Sequence, residues 1–270
     1  MRHIVVGDVH GMLSELRLLW LNLSPKKTDQ IIFLGDLIHK GPDSDGVVTF
    51  LREKKGQGYD LHVVCGNHEY KHLKDVSRQK SPWVRLHPAN DFFLSLALPY
   101  HQFVSGGDPF LCVHGGVYPQ FFAQYALPPY EEFKNASPDL RAAVTEFLTT
   151  RYVCPEGRPI ALKKETAEDV MWPTMYDGRL GQVFYGHQPY FEGPSLHHGH
   201  DGKPLAFGMD TAACMGYWLT AAVVEEGVVS FKSQKAVKEY TQRKSVRNDP
   251  NECLSYLLSR QACKSMWEVF

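Results

Sequence analysis

The stretch from residue 4 to residue 11 reads IVVGDVHG. Its run of β-branched residues predicts a short buried strand that is followed directly by a loop. In open α/β sheets, ligands bind just outside the carboxyl ends of such strands. Asp8 and His10 would offer an oxygen and a nitrogen to a divalent cation at that position. A turn closed by the Asp8 side chain explains this one stretch equally well.

The same pattern returns four times further along the chain. Each copy is an apolar run followed by a residue that can bind a metal, next to glycine, which lets the backbone turn sharply. The copies are residues 31–36 (IIFLGD), 62–69 (HVVCGNHE), 110–116 (FLCVHGG) and 183–187 (VFYGH). Five strand ends of one kind predict a shared site rather than five unrelated turns.

Two predicted helices separate the first three predicted strands. Leucines and a tryptophan recur at helical spacing over residues 12–23, and Val47, Val48 and Leu51 do so over residues 45–55. Alternating strands and helices indicate a parallel sheet. The carboxyl ends of its strands would lie on one side, so the polar residues that follow them are expected to converge.

Later segments predict further elements. Ser137 and Pro138 have the character of a helix cap and a first-turn residue. Residues 205–209, 218–224 and 228–231 predict strands, the last two joined as a hairpin across residues 225–227. We expect these three strands to form the second sheet of a sandwich. Residues 246–270 predict a C-terminal helical extension of a single domain spanning residues 1–270.

Composition narrows the class of protein. The 270 residues are 43% hydrophobic and 22% charged, as in soluble globular proteins. A formal net charge of −1 provides no bulk attraction for nucleic acid or a membrane surface. Six scattered cysteines suit a reducing compartment. The first strand begins at once, leaving no room for a signal peptide, and no apolar run reaches membrane-spanning length. We therefore expect a cytoplasmic protein.

A basic segment follows the third strand. Lysines and arginines at positions 71, 74, 78, 80 and 85 alternate with histidines and a tryptophan. A solvated helical face followed by a loop is the commoner explanation. A basic rim that attracts a phosphorylated substrate is the alternative.

Taken together, these motifs resemble a known family. The series GDVHG (7–11), GDLIHKGP (35–42), GNHE (66–69), HGG (114–116) and GH (186–187) is similar to the calcineurin-like metallophosphoesterases. Within them it most resembles the PPP-type Ser/Thr phosphatases and their bacterial and ApaH-like diadenosine tetraphosphatase relatives. Residues 172–178 (WPTMYDG) and 209–212 (MDTA) resemble the bacterial branch. The resemblance implies an α/β/β/α sandwich of two mixed β-sheets flanked by helices, and a metal-dependent phosphoesterase.

The resemblance also implies a dinuclear metal site. Its first cation would be held by Asp8, His10 and Asp36, and its second by the bridging Asp36 with Asn67, His114 and His187. Carboxylate, imidazole and amide oxygen ligands suit Mn²⁺, Fe or Zn²⁺. Mn²⁺ is our first expectation, with Fe, Zn²⁺ and Ni²⁺ as alternatives.

Roles in catalysis follow from the same resemblance. Asp36 would bridge the cations and His68 would be the general acid for the leaving oxygen. Asn67, Lys40 and Arg151 would bind the substrate phosphate, with Arg141 and Arg179 as rivals for the place of Arg151.

Three positions depart from the family pattern. His39 stands where the family has the aspartate that orients the general acid, and Lys40 where it has an arginine. Cys65 stands where eukaryotic PPP enzymes carry an arginine, a residue that the diadenosine tetraphosphatases also lack.

The motifs lead to three hypotheses about the activity and its substrate. Hydrolysis of phosphomonoesters, in the manner of a Ser/Thr protein phosphatase, is our first expectation. A bis(5'-nucleosyl)-tetraphosphatase is the alternative, favoured by Cys65. A catalytically impaired phosphate-binding regulator is a third hypothesis, which only His39 and Lys40 support. The expected partner is a phosphorylated substrate, either a phosphoprotein or a nucleotide, with neither a membrane nor a nucleic acid.

Overall fold

The structure is a computed structural model that describes residues 1–77, 92–93 and 97–237. The predicted C-terminal helix over residues 246–270 lies outside the described residues, as do the basic residues at positions 78, 80 and 85. The single-domain boundary at residue 270 therefore stays a prediction.

Strands and helices alternate in the first part of the chain, and strands dominate the second. The strands are, in chain order, β1 (His3–Val6), β2 (Gln30–Phe33), β3 (Asp60–Val64), β4 (Ala97–Leu98), β5 (His101–Ser105), β6 (Asp108–Cys112), β7 (Tyr152–Val153), β8 (Pro159–Ile160), β9 (Val170–Met171), β10 (Gln182–Tyr185), β11 (Ser195–His198), β12 (Pro204–Gly208), β13 (Trp218–Glu225) and β14 (Val228–Lys235). The α-helices are α1 (Leu13–Leu23), α2 (Ser44–Gly56), α3 (Asn67–Ser77), α4 (Pro119–Gln124), α5 (Tyr130–Phe133) and α6 (Pro138–Thr145). Short 3₁₀ turns lie at Glu146–Leu148 and Trp172–Met175.

Two larger sheets carry the fold. The first has the order β14-β13-β1-β2-β3-β4, with β1 to β4 parallel, β13 antiparallel to β1 and β14 antiparallel to β13. The second has the order β11-β12-β10-β6-β5, with β6, β10 and β12 parallel and the edge strands antiparallel. A small antiparallel sheet of β7, β8 and β9 adjoins them.

The two large sheets pack face to face because successive residues of each strand point to opposite faces. In β1, Ile4 and Val6 pack with the residues of α1 and α2, whereas Val5 joins the core between the sheets. In β10, Phe184 enters that same core, and Val183 packs on the opposite side of the second sheet. Helices thus cover the outer faces, and the structure has the predicted α/β/β/α sandwich.

One strand prediction was wrong. The segments that we expected to form the second sheet together are divided between the two sheets. Only β12 joins the second sheet, and β13 and β14 extend the first. Strand β1 has β2 on one side only, so its other edge is open to β13, beginning with His3 opposite Val224. Six successive residues of β13 are buried, as an interior strand covered on both faces requires.

Local predictions about turns and caps are confirmed. Ser137 caps α6, since its hydroxyl accepts a hydrogen bond from the Leu140 amide at 3.2 Å, and Pro138 begins that helix. The hairpin turns at Glu226 and Gly227, which have φ angles of 52° and 80°. Two positive φ angles give a turn whose twist matches that of the strands.

The parallel strands of both sheets point their carboxyl ends at one region. Gly35 follows β2 there with a φ of 94°, and a Cβ on it would lie 2.5 Å from the amide nitrogen of Gly66. The loops after β2 and β3 can therefore approach each other only because this position is glycine. None of the helices in the described ranges is long and apolar enough to cross a membrane.

Candidate metal centre

Asp36 lies between two groups of side chains at the carboxyl ends of the strands. Its Oδ2 is 3.4 Å from Nε2 of His10, and its Oδ1 is 3.3 Å from Nε2 of His114. The ligand atoms of His10, Asp36 and His68 lie within 4.8 Å of one another, as do those of a second group, Asp36, His114 and His187. One carboxylate thus presents a separate oxygen to each half of the centre.

The first half is built on the end of β1. His10 donates from Nδ1 to the carbonyl of Ile38 at 3.1 Å, which leaves the Nε2 lone pair facing the carboxylates. Nε2 lies 3.7 Å from Oδ2 of Asp8. Asp8 in turn accepts a hydrogen bond from the His187 amide at 3.1 Å, which joins the two halves. A second hydrogen bond that fixes the orientation of a histidine ligand is typical of metal sites.

The second half is built on the ends of β3, β6 and β10. His114 donates from Nδ1 to the carbonyl of Leu34 at 2.7 Å, and its Nε2 lies 3.0 Å from the Asn67 side-chain oxygen. Nε2 of His187 is buried and has no hydrogen-bond partner among the described residues. A buried nitrogen without a partner is costly unless something else binds it. These donors therefore fit a divalent cation.

Electrostatics in the centre also favour added positive charge. Burial raises the pKa of Asp8 well above its usual range, and the neighbouring Asp210 raises it further. Burial acts to lower the pKa of His114, but the Asp36 carboxylate outweighs it and raises that pKa to about 9. A proton on His114 and a cation would therefore compete for the same nitrogen.

His68 lies at the rim of the centre and contacts another histidine. Its Nε2 is 3.9 Å from Oδ2 of Asp36, and its Nδ1 is 2.9 Å from Nδ1 of His39. Burial lowers the pKa of His68, and burial together with the His68 charge lowers that of His39 to about 4. His68 thus turns one nitrogen to the centre and the other to His39.

The structure separates the three candidate arginines. Arg151 donates to the carbonyl of His187 at 2.5 Å, beside the second half of the centre. Arg141 bonds instead to carbonyls next to its own helix, those of Lys134 and Ala136. Arg179 pairs with Asp177 on the surface, with Nε 2.8 Å from Oδ2. Of the three, only Arg151 contacts a residue of the centre.

Lys40, which was predicted to bind the substrate phosphate, also contacts a residue in the first half of the centre. Its ammonium nitrogen is 2.7 Å from Nε2 of His10. The residue itself is exposed, so the side chain reaches inward from the mouth of the centre.

Two acidic residues of the centre had no role assigned from the sequence. Glu69 is fully buried, and its carboxylate accepts hydrogen bonds from the backbone amides of Asp36, Leu37, Ile38 and Gly66 at 2.7 to 3.3 Å. Asp210 is buried beside Asp8 and accepts from the Ala212 amide at 3.0 Å. Glu69 ends the GNHE motif (66–69), and Asp210 lies in the MDTA motif (209–212). An acidic residue within a motif that follows a strand is the sequence signal from which a role could have been predicted for both.

The centre could hold two cations. Asp8, His10 and Asp36 would hold the first cation, and Asp36, Asn67, His114 and His187 the second. When bound, such cations activate water and neutralise charge on a phosphoryl group. The chain's own residues would orient the phosphate and supply a proton to the oxygen that leaves.

Comparison with known proteins shows what the whole chain is similar to. The sequence profile of the family described as calcineurin-like phosphoesterases matches residues 1–202. A symmetrical bis(5'-nucleosyl)-tetraphosphatase of Edwardsiella ictaluri is 30% identical over 82% of this chain and 92% of its own length. Serine/threonine-protein phosphatase 1 of Salmonella typhimurium is 40% identical, over 31% of this chain and 38% of its own length.

Solved structures show the same fold. A protein assigned as a diadenosine tetraphosphatase superposes with a TM-score of 0.64 and 27% identity, over 86% of this chain and 93% of that one. A serine/threonine phosphatase of Saccharomyces cerevisiae superposes with a TM-score of 0.57 and 15% identity, over 88% of this chain and 81% of that one. At that identity the second likeness concerns the fold alone.

Proposed function

The chain belongs to the calcineurin-like phosphoesterase family, and within that family we propose that it is a symmetrical bis(5'-nucleosyl)-tetraphosphatase. It would split a dinucleoside tetraphosphate at its central anhydride and release two nucleoside diphosphates. The observation that carries this proposal is the extent of the likeness. The tetraphosphatase matches over 82% of this chain, whereas the Salmonella phosphatase matches over 31% of it.

This proposal reverses the order expected from the sequence. The sequence placed phosphomonoesters first and the dinucleoside tetraphosphate second. Family membership makes the chain a metal-dependent phosphoesterase, so the hypothesis of an impaired regulator gains no support. A phosphomonoester phosphatase remains the second candidate because of the local 40% identity to the Salmonella enzyme.

Two features of the site support a nucleotide leaving group. Cys65 is fully buried, so no side chain at that position reaches a phosphate as an arginine there would. The general acid His68 pairs with His39 instead of a carboxylate. A nucleoside diphosphate is a better leaving group than an alkoxide, and it needs less help from a general acid. The pair of His68 and His39 is a weaker general acid than a histidine with a carboxylate partner, and it therefore suits an anhydride substrate.

The roles of the site residues are part of the proposal. Asp8, His10, Asp36, Asn67, His114 and His187 bind two cations, and we propose Mn²⁺ because half of these residues offer the carboxylate or amide oxygens that it prefers. His68 protonates the leaving oxygen. Asn67, Lys40 and Arg151 bind the attacked phosphate. A cytoplasmic location is also proposed, since the four described cysteines are all unpaired and buried.

Product analysis tests the proposal. The purified protein, supplied with Mn²⁺, is assayed on diadenosine tetraphosphate, a phosphoserine peptide and p-nitrophenyl phosphate. We expect the highest kcat/KM for diadenosine tetraphosphate and ADP as its only product. An Asp36→Asn preparation controls for contaminating phosphatases. A preference for the phosphopeptide, or formation of AMP and ATP, would overturn the proposal.

A further inference from the structure

Lys40 contacts the one ligand atom that His10 can offer to a cation. The ammonium nitrogen of Lys40 lies 2.7 Å from Nε2 of His10. The other ring nitrogen of His10 already donates to the Ile38 carbonyl. Nε2 therefore carries the only lone pair of this ring, and it can accept from an ammonium or bind a cation, but not both.

The charges around Lys40 are those that a cation would meet. The nitrogen that its ammonium contacts, Nε2 of His10, lies 3.4 Å from Oδ2 of Asp36 and 3.7 Å from Oδ2 of Asp8, and both carboxylates are buried. The ammonium thus partly neutralises a buried acidic cluster, which is what a bound cation would do.

Lys40 can leave this position without disturbing a packed core. Lys40 and His39 are both exposed residues, in contrast to the buried ligands Asp8 and His10. Their φ angles, 65° and 69°, lie in the left-handed region. Such backbone is costly for residues other than glycine and is found at sites that switch or bind. The loop holds the backbone of Lys40 at the mouth of the centre, from which the side chain reaches inward to His10.

We propose that Lys40 is an internal competitor for the first cation. Its ammonium binds Nε2 of His10 and must be displaced before a metal binds there. The displaced ammonium would then lie at the mouth of the centre, where it can contact the substrate phosphate. Metal loading and phosphate binding would thereby be coupled through one side chain. This inference rests on the metal centre proposed above but not on the choice of substrate.

Metal titration tests the inference without any activity measurement. Protein depleted of metal by a chelator is titrated with Mn²⁺ by calorimetry, in wild type, Lys40→Met and Lys40→Gln. Removing the ammonium should tighten binding of the first Mn²⁺ by about ten- to hundred-fold, the worth of one hydrogen bond to a charged group. The melting temperature in the presence of chelator should fall in both variants, because buried carboxylates lose a counter-charge.

A matched control separates direct competition from a general charge effect. Lys71→Met removes the same charge from an exposed residue of α3, whose charge also acts on His39 and His68. Its affinity for Mn²⁺ should stay within about two-fold of wild type, as expected for a screened surface charge. Equal affinity in wild type and both Lys40 variants would overturn the inference, as would equal tightening in Lys71→Met. Absence of Mn²⁺ binding in every form would overturn the metal centre as well.

Discussion

Nδ1 of His39 lies 2.9 Å from Nδ1 of His68, so the two imidazoles share one hydrogen bond. One ring must donate and the other accept, because a neutral imidazole has one donor and one acceptor nitrogen. A carboxylate at position 39 would only accept, and it would stabilise the protonated form of His68. The pair of rings therefore distinguishes this centre from one with an acidic partner, and two predictions concern it.

His68→Ala should slow hydrolysis most for substrates with poor leaving groups, because a general acid matters most when the leaving oxygen is basic. A general acid typically contributes about 10²–10⁴-fold. Measuring kcat/KM on an alkyl phosphate and on p-nitrophenyl phosphate checks this, with metal content as the control. Equal losses on the two substrates would show that His68 does not protonate the leaving group.

His39→Asp should raise activity toward alkyl phosphates relative to diadenosine tetraphosphate, because a carboxylate favours the protonated form of His68. His39→Asn serves as the control, since its side chain can hydrogen-bond Nδ1 without a charge. The measured quantity is the ratio of kcat/KM for the two substrates. If the ratio is the same in all three proteins, residue 39 does not act through His68.

Asp36→Asn should nearly abolish turnover and reduce the metal content, because one oxygen of the bridge becomes an amide nitrogen that cannot bind a cation. Elemental analysis of protein dialysed against Mn²⁺ gives the metal content per chain. Asp139→Asn, at an exposed position in the first turn of α6, controls for loss of a carboxylate. Normal hydrolysis with two bound cations would contradict the bridging role.

Glu69→Gln should destabilise the fold, because the carboxylate accepts hydrogen bonds from amides of two separate loops. A glutamine side chain would turn an NH₂ group toward one of these donors. Hydrogen bonds to charged groups contribute about 1.5–3 kcal/mol each, and we expect a loss in this range. Urea unfolding measures it, with the exposed Glu192→Gln as the control. If the free energy of unfolding of Glu69→Gln equals that of wild type, the hydrogen bonds of Glu69 do not stabilise the two loops.

The stability of the protein should fall in mild acid because of His101, which lies outside the metal centre. Burial, together with the charge of His62, lowers the pKa of His101 to about 3. The folded state therefore favours the neutral ring, whose Nε2 lies 3.1 Å from the Gln30 side-chain oxygen. The contribution of His101 to the free energy of unfolding is fully present above the unfolded pKa of about 6.5, and it is lost as the pH falls toward 3.

His101→Gln removes this titration and leaves a group that can still hydrogen-bond. At pH 5 the wild type should have lost up to about 2 kcal/mol through His101, a loss that the variant should not show. Melting temperatures from pH 7.5 to 5, with chelator present, measure the difference. Parallel pH profiles for the two proteins would mean that His101 is not the group responsible.

The strands that carry the centre, and the residues that follow them, were predictable from the sequence. Period-two and period-3.6 patterns are local, and they located β1, β2, β3, β6 and β10 to within one or two residues. Parallel strands separated by helices point their ends in one direction, so the convergence of Asp8, Asp36 and Asn67 followed from order alone. His114 and His187 come from the second sheet, and the packing of the two sheets brings them to the same centre. The cap at Ser137 and the turn at Glu226 and Gly227 were equally local.

Which distant groups meet is set by the three-dimensional packing of the sheets and loops. The placement of β13 beside β1 depends on which strand edge is open, and β13 is apolar enough for either sheet. Of the three candidate arginines, only Arg151 contacts His187. The contacts of Glu69 with the loop after β2, of Lys40 with His10 and of His39 with His68 join residues about 30 positions apart. Such contacts are set by how close two loops approach, and no periodicity in the chain encodes that distance.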